Sequence, residues 1–123
     1  MDVPDDFDVE KFEAASLADI GMPSEITARH RLPHFLHLFA GDGYAAGYYS
    51  YLWSEVMDAD AFQAFEETGN VFDPVTAKKL HDFIYSTGGS QDPEELYKAF
   101  RGRNPQIDAL LAGRGLADAM PET

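Results

Sequence analysis

Apolar residues recur along most of the chain at intervals of three and four, the spacing that lines one face of an α-helix. Residues 5–20 set Phe7, Val9, Phe12, Leu17 and Ile20 among acids and alanines, with Asp5, Asp6 or Asp8 placed to cap a helix and Gly21 to end it. From Met22 to Phe39 the rhythm fails, because Pro23 and Pro33 each lack a backbone donor and bias the residue before them away from helix. A short helical turn over Ser24 to Ala28 and extended chain or loop from Arg31 to Ala40 are expected there. Beyond the joint Gly41-Asp42-Gly43, Tyr44 to Glu67 reads as one long helix without proline. On it Tyr44, Tyr48 and Tyr51 would share a face, while Tyr49, Trp53 and Val56 lie roughly opposite. A helix apolar nearly all round calls for burial on several sides.

Three later helices begin alike, with a capping Asp or Asn followed by proline at the first helical position: Asp73-Pro74, Asp92-Pro93 and Asn104-Pro105. They predict helices near 74–86, 93–101 and 105–113, closed by Gly88-Gly89, Gly102 and Gly113. Val75, Leu80, Phe83 and Ile84 form the apolar face of the first, and Leu96, Tyr97 and Phe100 that of the second. Residues 117–123 read as a short tail that frays. No strand alternation occurs, so the expected fold is all-α with no substantial sheet, and the 123 residues are expected to form one helical segment.

Charge narrows the partners. Nine basic against 22 acidic residues give a formal charge of -13, which argues against a polyphosphate backbone or an anionic membrane surface. Neither nucleic acid nor a membrane is therefore expected as a partner. The absence of cysteine removes disulfides, thiol catalysis and thiolate metal sites. With no basic, apolar leader at Met1 and no run approaching about 20 apolar residues, a cytoplasmic location is expected.

Two groups of side chains offer chemistry. His30, His34 and His37, at spacings of four and three, could gather imidazoles for a metal; Pro33 within the run favours hydrogen-bonding or surface histidines instead. Tyr44, Tyr48 and Tyr51 can each donate a hydrogen bond while the ring packs, so they suit an oxyanion or a substrate carbonyl as well as a tied-down core. Gly41, Gly43 and Gly47 allow close backbone approach, or are simply loop. The serines lack a nucleophile-elbow context and no phosphate-binding glycine loop occurs. His81, Asp58 with Asp60, and Glu66-Glu67 read as solvated helix residues; Arg29, Arg31, Arg101 and Arg103 could meet a peptide carboxylate, with exposed arginines as the ordinary case.

The run Gly43-Tyr-Ala-Ala-Gly-Tyr-Tyr-Ser-Tyr-Leu-Trp-Ser-Glu-Val56 resembles the C-terminal signature of the thimet oligopeptidase family of zinc metallopeptidases, most of all its bacterial peptidyl-dipeptidases. The similarity continues through Met57 to Phe62, Gly88-Gly-Ser90, Phe100-Arg-Gly-Arg103 and Gly113-Arg-Gly-Leu116, and upstream through Ile20 to Pro23 and Arg29 to Phe39. The resemblance implies a largely helical, two-lobed enzyme in which zinc on a His-Glu-x-x-His helix activates water against a peptide carbonyl. No His-Glu pair occurs here, so it implies zinc in the full-length enzyme and none bound to this chain. It also implies that Tyr51 hydrogen-bonds the tetrahedral oxyanion with Tyr48 as its companion. His37, Gly41, Gly43 and Tyr44 then belong to a loop that contacts the peptide substrate. That loop departs from the family pattern in being longer between histidine and tyrosine, with Asp42 between its glycines.

The chain thus reads as a C-terminal piece of a peptidase, inactive alone, with a non-catalytic helical interaction module as the alternative. Self-association through apolar helix surface is expected for a piece cut from its neighbours. The expected result is a sedimentation coefficient that rises with concentration together with binding of an apolar dye; a monodisperse monomer that binds no dye overturns it.

Overall fold

Asp8 starts the first helix by the means its side chain suggests: one carboxylate oxygen accepts from the Glu10 and Lys11 backbone N–H groups at 3.1 Å each. This helix, α1 (Val9–Asp19), ends where Gly21 takes a φ of +71°, with Gly21 N–H donating to Ala18 O and Met22 N–H to Leu17 O. The computed structural model describes residues 3–117, and among the described residues no strand occurs. The fold is all-α. Most of the expected tail, residues 118–123, lies outside the described residues. The chain divides into two compact units, Met1–Tyr48 and Tyr49–Thr123.

In the first unit Glu13 ties α1 to the segment that follows. Its carboxylate accepts the Leu32 N–H at 2.8 Å and meets Arg31 Nε at 2.9 Å. The expected helical turn over Ser24 to Ala28 is only a bend closed by Ile26 N–H to Pro23 O. The expected loop after it is shorter and more ordered: a tight turn at Leu32–His34 and one helical turn, α2 (Leu36–Phe39). Pro33 falls inside the first turn of that element, where its missing N–H breaks no bond.

The long helix expected from Tyr44 is shorter. A tight turn spans Asp42–Tyr44, irregular turns follow, and α3 runs Ser50–Glu66. Gly47 accounts for the late start, since a Cβ there would stand 2.7 Å from the Gly43 carbonyl oxygen; the backbone is folded closer than a regular helix of other residues permits. Nor does the chain itself bury α3 on several sides. Only Val56 and Asp60 of this helix are buried, while Leu52, Trp53 and Phe62 stay exposed.

In the second unit the Asp-Pro starts are as read. Asp73 accepts the Thr76 N–H at 2.7 Å to open α4 (Pro74–Leu80), and Asp92 accepts from Glu94 and Glu95 to open α5 (Pro93–Arg101). α4 widens into a π-helical turn over His81–Tyr85, with Ser86 N–H donating five residues back to His81 O. Leu80, Phe83 and Ile84 are half-buried, while Val75, about 140° around the regular helix from Leu80, is 65% exposed. The last helix, α6 (Asp108–Gly113), begins three residues after Pro105 with no side-chain cap, and it is Gly115 at φ +70°, not Gly113, that closes it.

The buried apolar side chains among the described residues are Val56, Leu96, Tyr97 and Phe100, and one carboxylate is buried as well. Asp60, expected at a solvated face, is 0% exposed. Tyr97 Oη donates to its Oδ2 at 2.6 Å, and Arg103 Nη2 stands 2.7 Å from Oδ1, close enough to neutralise it though outside hydrogen-bond alignment. Arg101, also expected to be exposed, is inside: its Nε donates to the Asp60 backbone oxygen at 3.1 Å and its two terminal nitrogens grip Glu67 at 2.6 Å each. Burial would push the Asp60 carboxyl up, but the Arg103 guanidinium beside it, the hydrogen bond from Tyr97 and the charge of Arg101 hold it below its ordinary 3.8. Burial and the bond to Asp60 push the Tyr97 phenol up, so it remains a donor.

Arg101→Ala removes the bonds to the Asp60 backbone oxygen and to Glu67 while Tyr97 and Arg103 still hold the carboxylate, so it should destabilise the second unit by about 1–3 kcal/mol, read as a fall in the urea midpoint. Asp60 has the lower pKa in the folded state. Its contribution is therefore complete above the unfolded value of 3.8 and is lost as pH falls through the lowered folded value. Unfolding curves across pH 2 to 5 should show an acid-side loss in the wild type that is blunted in Asp60→Asn; parallel losses would show that other groups carry it.

Candidate functional site

The site residues foreseen from sequence fall in both units. In the first, α2 presents His37, and the turns after it return Tyr44 and Tyr48 to the same imidazole. The His37 ring lies 4.6 Å from that of Tyr44 at 83° and 5.5 Å from that of Tyr48 at 73°. Tyr44 and Tyr48 are themselves 6.1 Å apart at 70°. Phe35, just before α2, meets Tyr48 edge-on at 4.7 Å, while His30 stacks flat on Phe35 at 4.8 Å. In edge-to-face pairs the positive rim of one ring meets the negative face of another, worth about 0.5–1.5 kcal/mol each beyond burial. Five rings therefore hold one another where few side chains are buried.

A cleft of about 460 Å³ opens beside this cluster, lined by His30, Phe35, Leu36, His37 and Ala40. Its wall is apolar with two imidazoles, and the tyrosines that back His37 each carry a hydroxyl. Such a set can pack an apolar group and exchange hydrogen bonds with peptide N–H and C=O groups. Of the loop glycines, Gly41 is extended and Gly43 lies in the tight turn, and a Cβ at either would meet open space. Gly47 is the glycine whose place the backbone requires.

Tyr51 belongs to the second unit, in the first turn of α3, and is 47% exposed. Helical spacing alone set it beside Tyr44 and Tyr48; because α3 starts only at Ser50, that argument from a continuous helix does not hold. Among the described residues no group of three or more His, Asp or Glu side chains is placed to hold a metal.

Sequence reasoning missed the cluster of Asp60, Tyr97, Arg101 and Arg103. A signal was present, since Asp60 is four residues beyond Val56 and Arg101 four beyond Tyr97, each on the same helical face as a buried residue. An acid and a base each sharing an apolar stripe could have been read as a pair.

Comparison with known proteins gives a consistent assignment. The profile of Peptidase family M3 matches residues 2–116. Oligopeptidase A of Haemophilus influenzae is 60% identical over 87 residues, and that of Escherichia coli 56% identical over 87, each covering 70% of this chain and 12% of the relative. Dipeptidyl carboxypeptidase of Salmonella typhimurium is 41% identical over 110 residues, covering 88% of this chain and 16% of that protein. The chain therefore spans only a small part of the length of these relatives. Among the described residues no helix is long and apolar enough to cross a membrane.

Gly47→Ala should force the Gly43 carbonyl away and separate the Tyr44 and Tyr48 rings from His37. The near-ultraviolet circular dichroism of the aromatic cluster should fall while the far-ultraviolet helix signal changes little; an unchanged near-ultraviolet band would show that the turn tolerates a side chain.

Proposed function

Because the chain belongs to peptidase family M3, we propose that it is the C-terminal part of a zinc-dependent oligopeptidase of the peptidyl-dipeptidase kind, acting on short peptides. The observation that supports this is the pairing of His37 with Tyr44 and Tyr48 edge-on, beside an apolar cleft. In this reading His37, Tyr44 and the Gly41 to Gly43 loop hold the peptide backbone, Tyr51 donates to the oxyanion and Tyr48 supports it.

A metal in such enzymes polarises the carbonyl and lowers the pKa of its bound water. With no His-Glu-x-x-His in the sequence, this reading assigns the chain binding, orientation and hydrogen bonding. A phenol aimed where charge develops stabilises the transition state more than the ground state, and so acts on kcat. The electrostatics suit a peptide more than a polyanion, since the chain carries -13.

The isolated chain supplied with zinc should not hydrolyse a blocked peptide, and chelator-sensitive cleavage would show the catalytic centre to be misplaced. When the chain is combined with a separately expressed zinc-bearing part, Tyr51→Phe should lower turnover by about 10² to 10³. An unaffected rate would remove Tyr51 from the oxyanion role.

A further inference from the structure

α3 has no side-chain cap at its N-terminus, where Tyr51 sits, and only Val56 and Asp60 of its residues are buried. Val56 makes apolar contact, which has little directional preference. Asp60 is different: Tyr97 reaches Oδ2 at 2.6 Å, Arg103 reaches Oδ1 at 2.7 Å, and Arg101 takes the backbone oxygen at 3.1 Å. Three partners from α5 and the residues just after it hold one residue of α3 from fixed directions.

Tyr51 precedes Asp60 by nine residues, which on a helix is about 13.5 Å along the axis and about half a turn around it. A helix rotated so that Asp60 faces inward therefore turns Tyr51 outward, in keeping with exposures of 0% and 47%. We infer that Asp60, held by Tyr97 and Arg103, is a positioning residue that fixes the rotation of α3 and thereby the aim of Tyr51. The inference rests on the proposed role of Tyr51 as the oxyanion donor. Its leverage is large: at a helix radius of about 5–6 Å a rotation of about 10° moves a group by about 1 Å, and such a displacement can cost about 10²-fold in rate.

The test uses the complete peptidase carrying this segment, with kcat and KM measured for a blocked peptide in Asp60→Asn, Tyr51→Phe and the double variant, alongside the ¹⁹F resonance of 3-fluorotyrosine placed at position 51. Asp60→Asn should lower kcat about tenfold or more with KM within about twofold, and should cost less than about twofold once Tyr51 is already Phe, because residues acting as one unit are not additive. It should also move the fluorine resonance. Additive losses, or an unmoved resonance, would reduce Asp60 to a structural role and overturn the inference. A moved resonance with no effect of Tyr51→Phe would instead remove the oxyanion reading and leave the positioning intact. Should Asp60→Asn fail to fold, Arg103→Gln removes only the partly exposed partner and is read in the same way.

Discussion

A single buried carboxylate organises the second unit. Asp60 has no exposure to water, so its charge is tolerable only because a phenol, two guanidinium groups and a well-packed shell replace the solvent. That requirement dictates much else. Arg101 must come inside and Arg103 must reach in from the partly exposed rim, Gly102 between them turns at a φ of +80°, and α5 ends there. Glu67, at the end of α3, then grips the outer edge of Arg101 and joins the same two helices a second time.

A different constraint shapes the first unit, where none of the described residues is fully buried. Its order comes from local punctuation and directional contacts. Asp8 and Gly21 delimit α1, Glu13 binds the Arg31-Leu32 backbone and side chain, and the stacked and edge-on rings from His30 to Tyr48 fix the turn around His37. Ring pairs and caps need exact placement over only a few residues. They can therefore hold a short segment in shape even where apolar burial is scarce.

The two units accordingly offer different kinds of chemistry. The first gathers two imidazoles and two phenols beside an apolar cleft, a surface suited to hydrogen bonds with a peptide. The second places Tyr51 on a rigid helix whose orientation is set by an ion pair network remote from the phenol itself. Both arrangements lie within the residues that the profile of Peptidase family M3 matches.

By itself the sequence determined the all-α class, the starts of α4 and α5, an aspartate cap for α1 without choosing among three, the buried face of Leu96, Tyr97 and Phe100, and the kinship carried by the tyrosine run. Those features are local: a capping carboxylate, a proline at the first helical position, a 3.6-residue period and an unbroken motif each act within a few residues. Only the tertiary structure decided that α3 begins at Ser50 and that Val75 falls off its face. It also decided that Asp60 and Arg101 lie inside and that His37 is met edge-on by Tyr44 and Tyr48. The late start goes with the close Gly43–Gly47 approach, and Val75 stands about 140° around the helix from Leu80, outside the half-buried stripe. The buried charges depend on partners about forty residues away, and a charged side chain shows its inward preference only when such partners arrive.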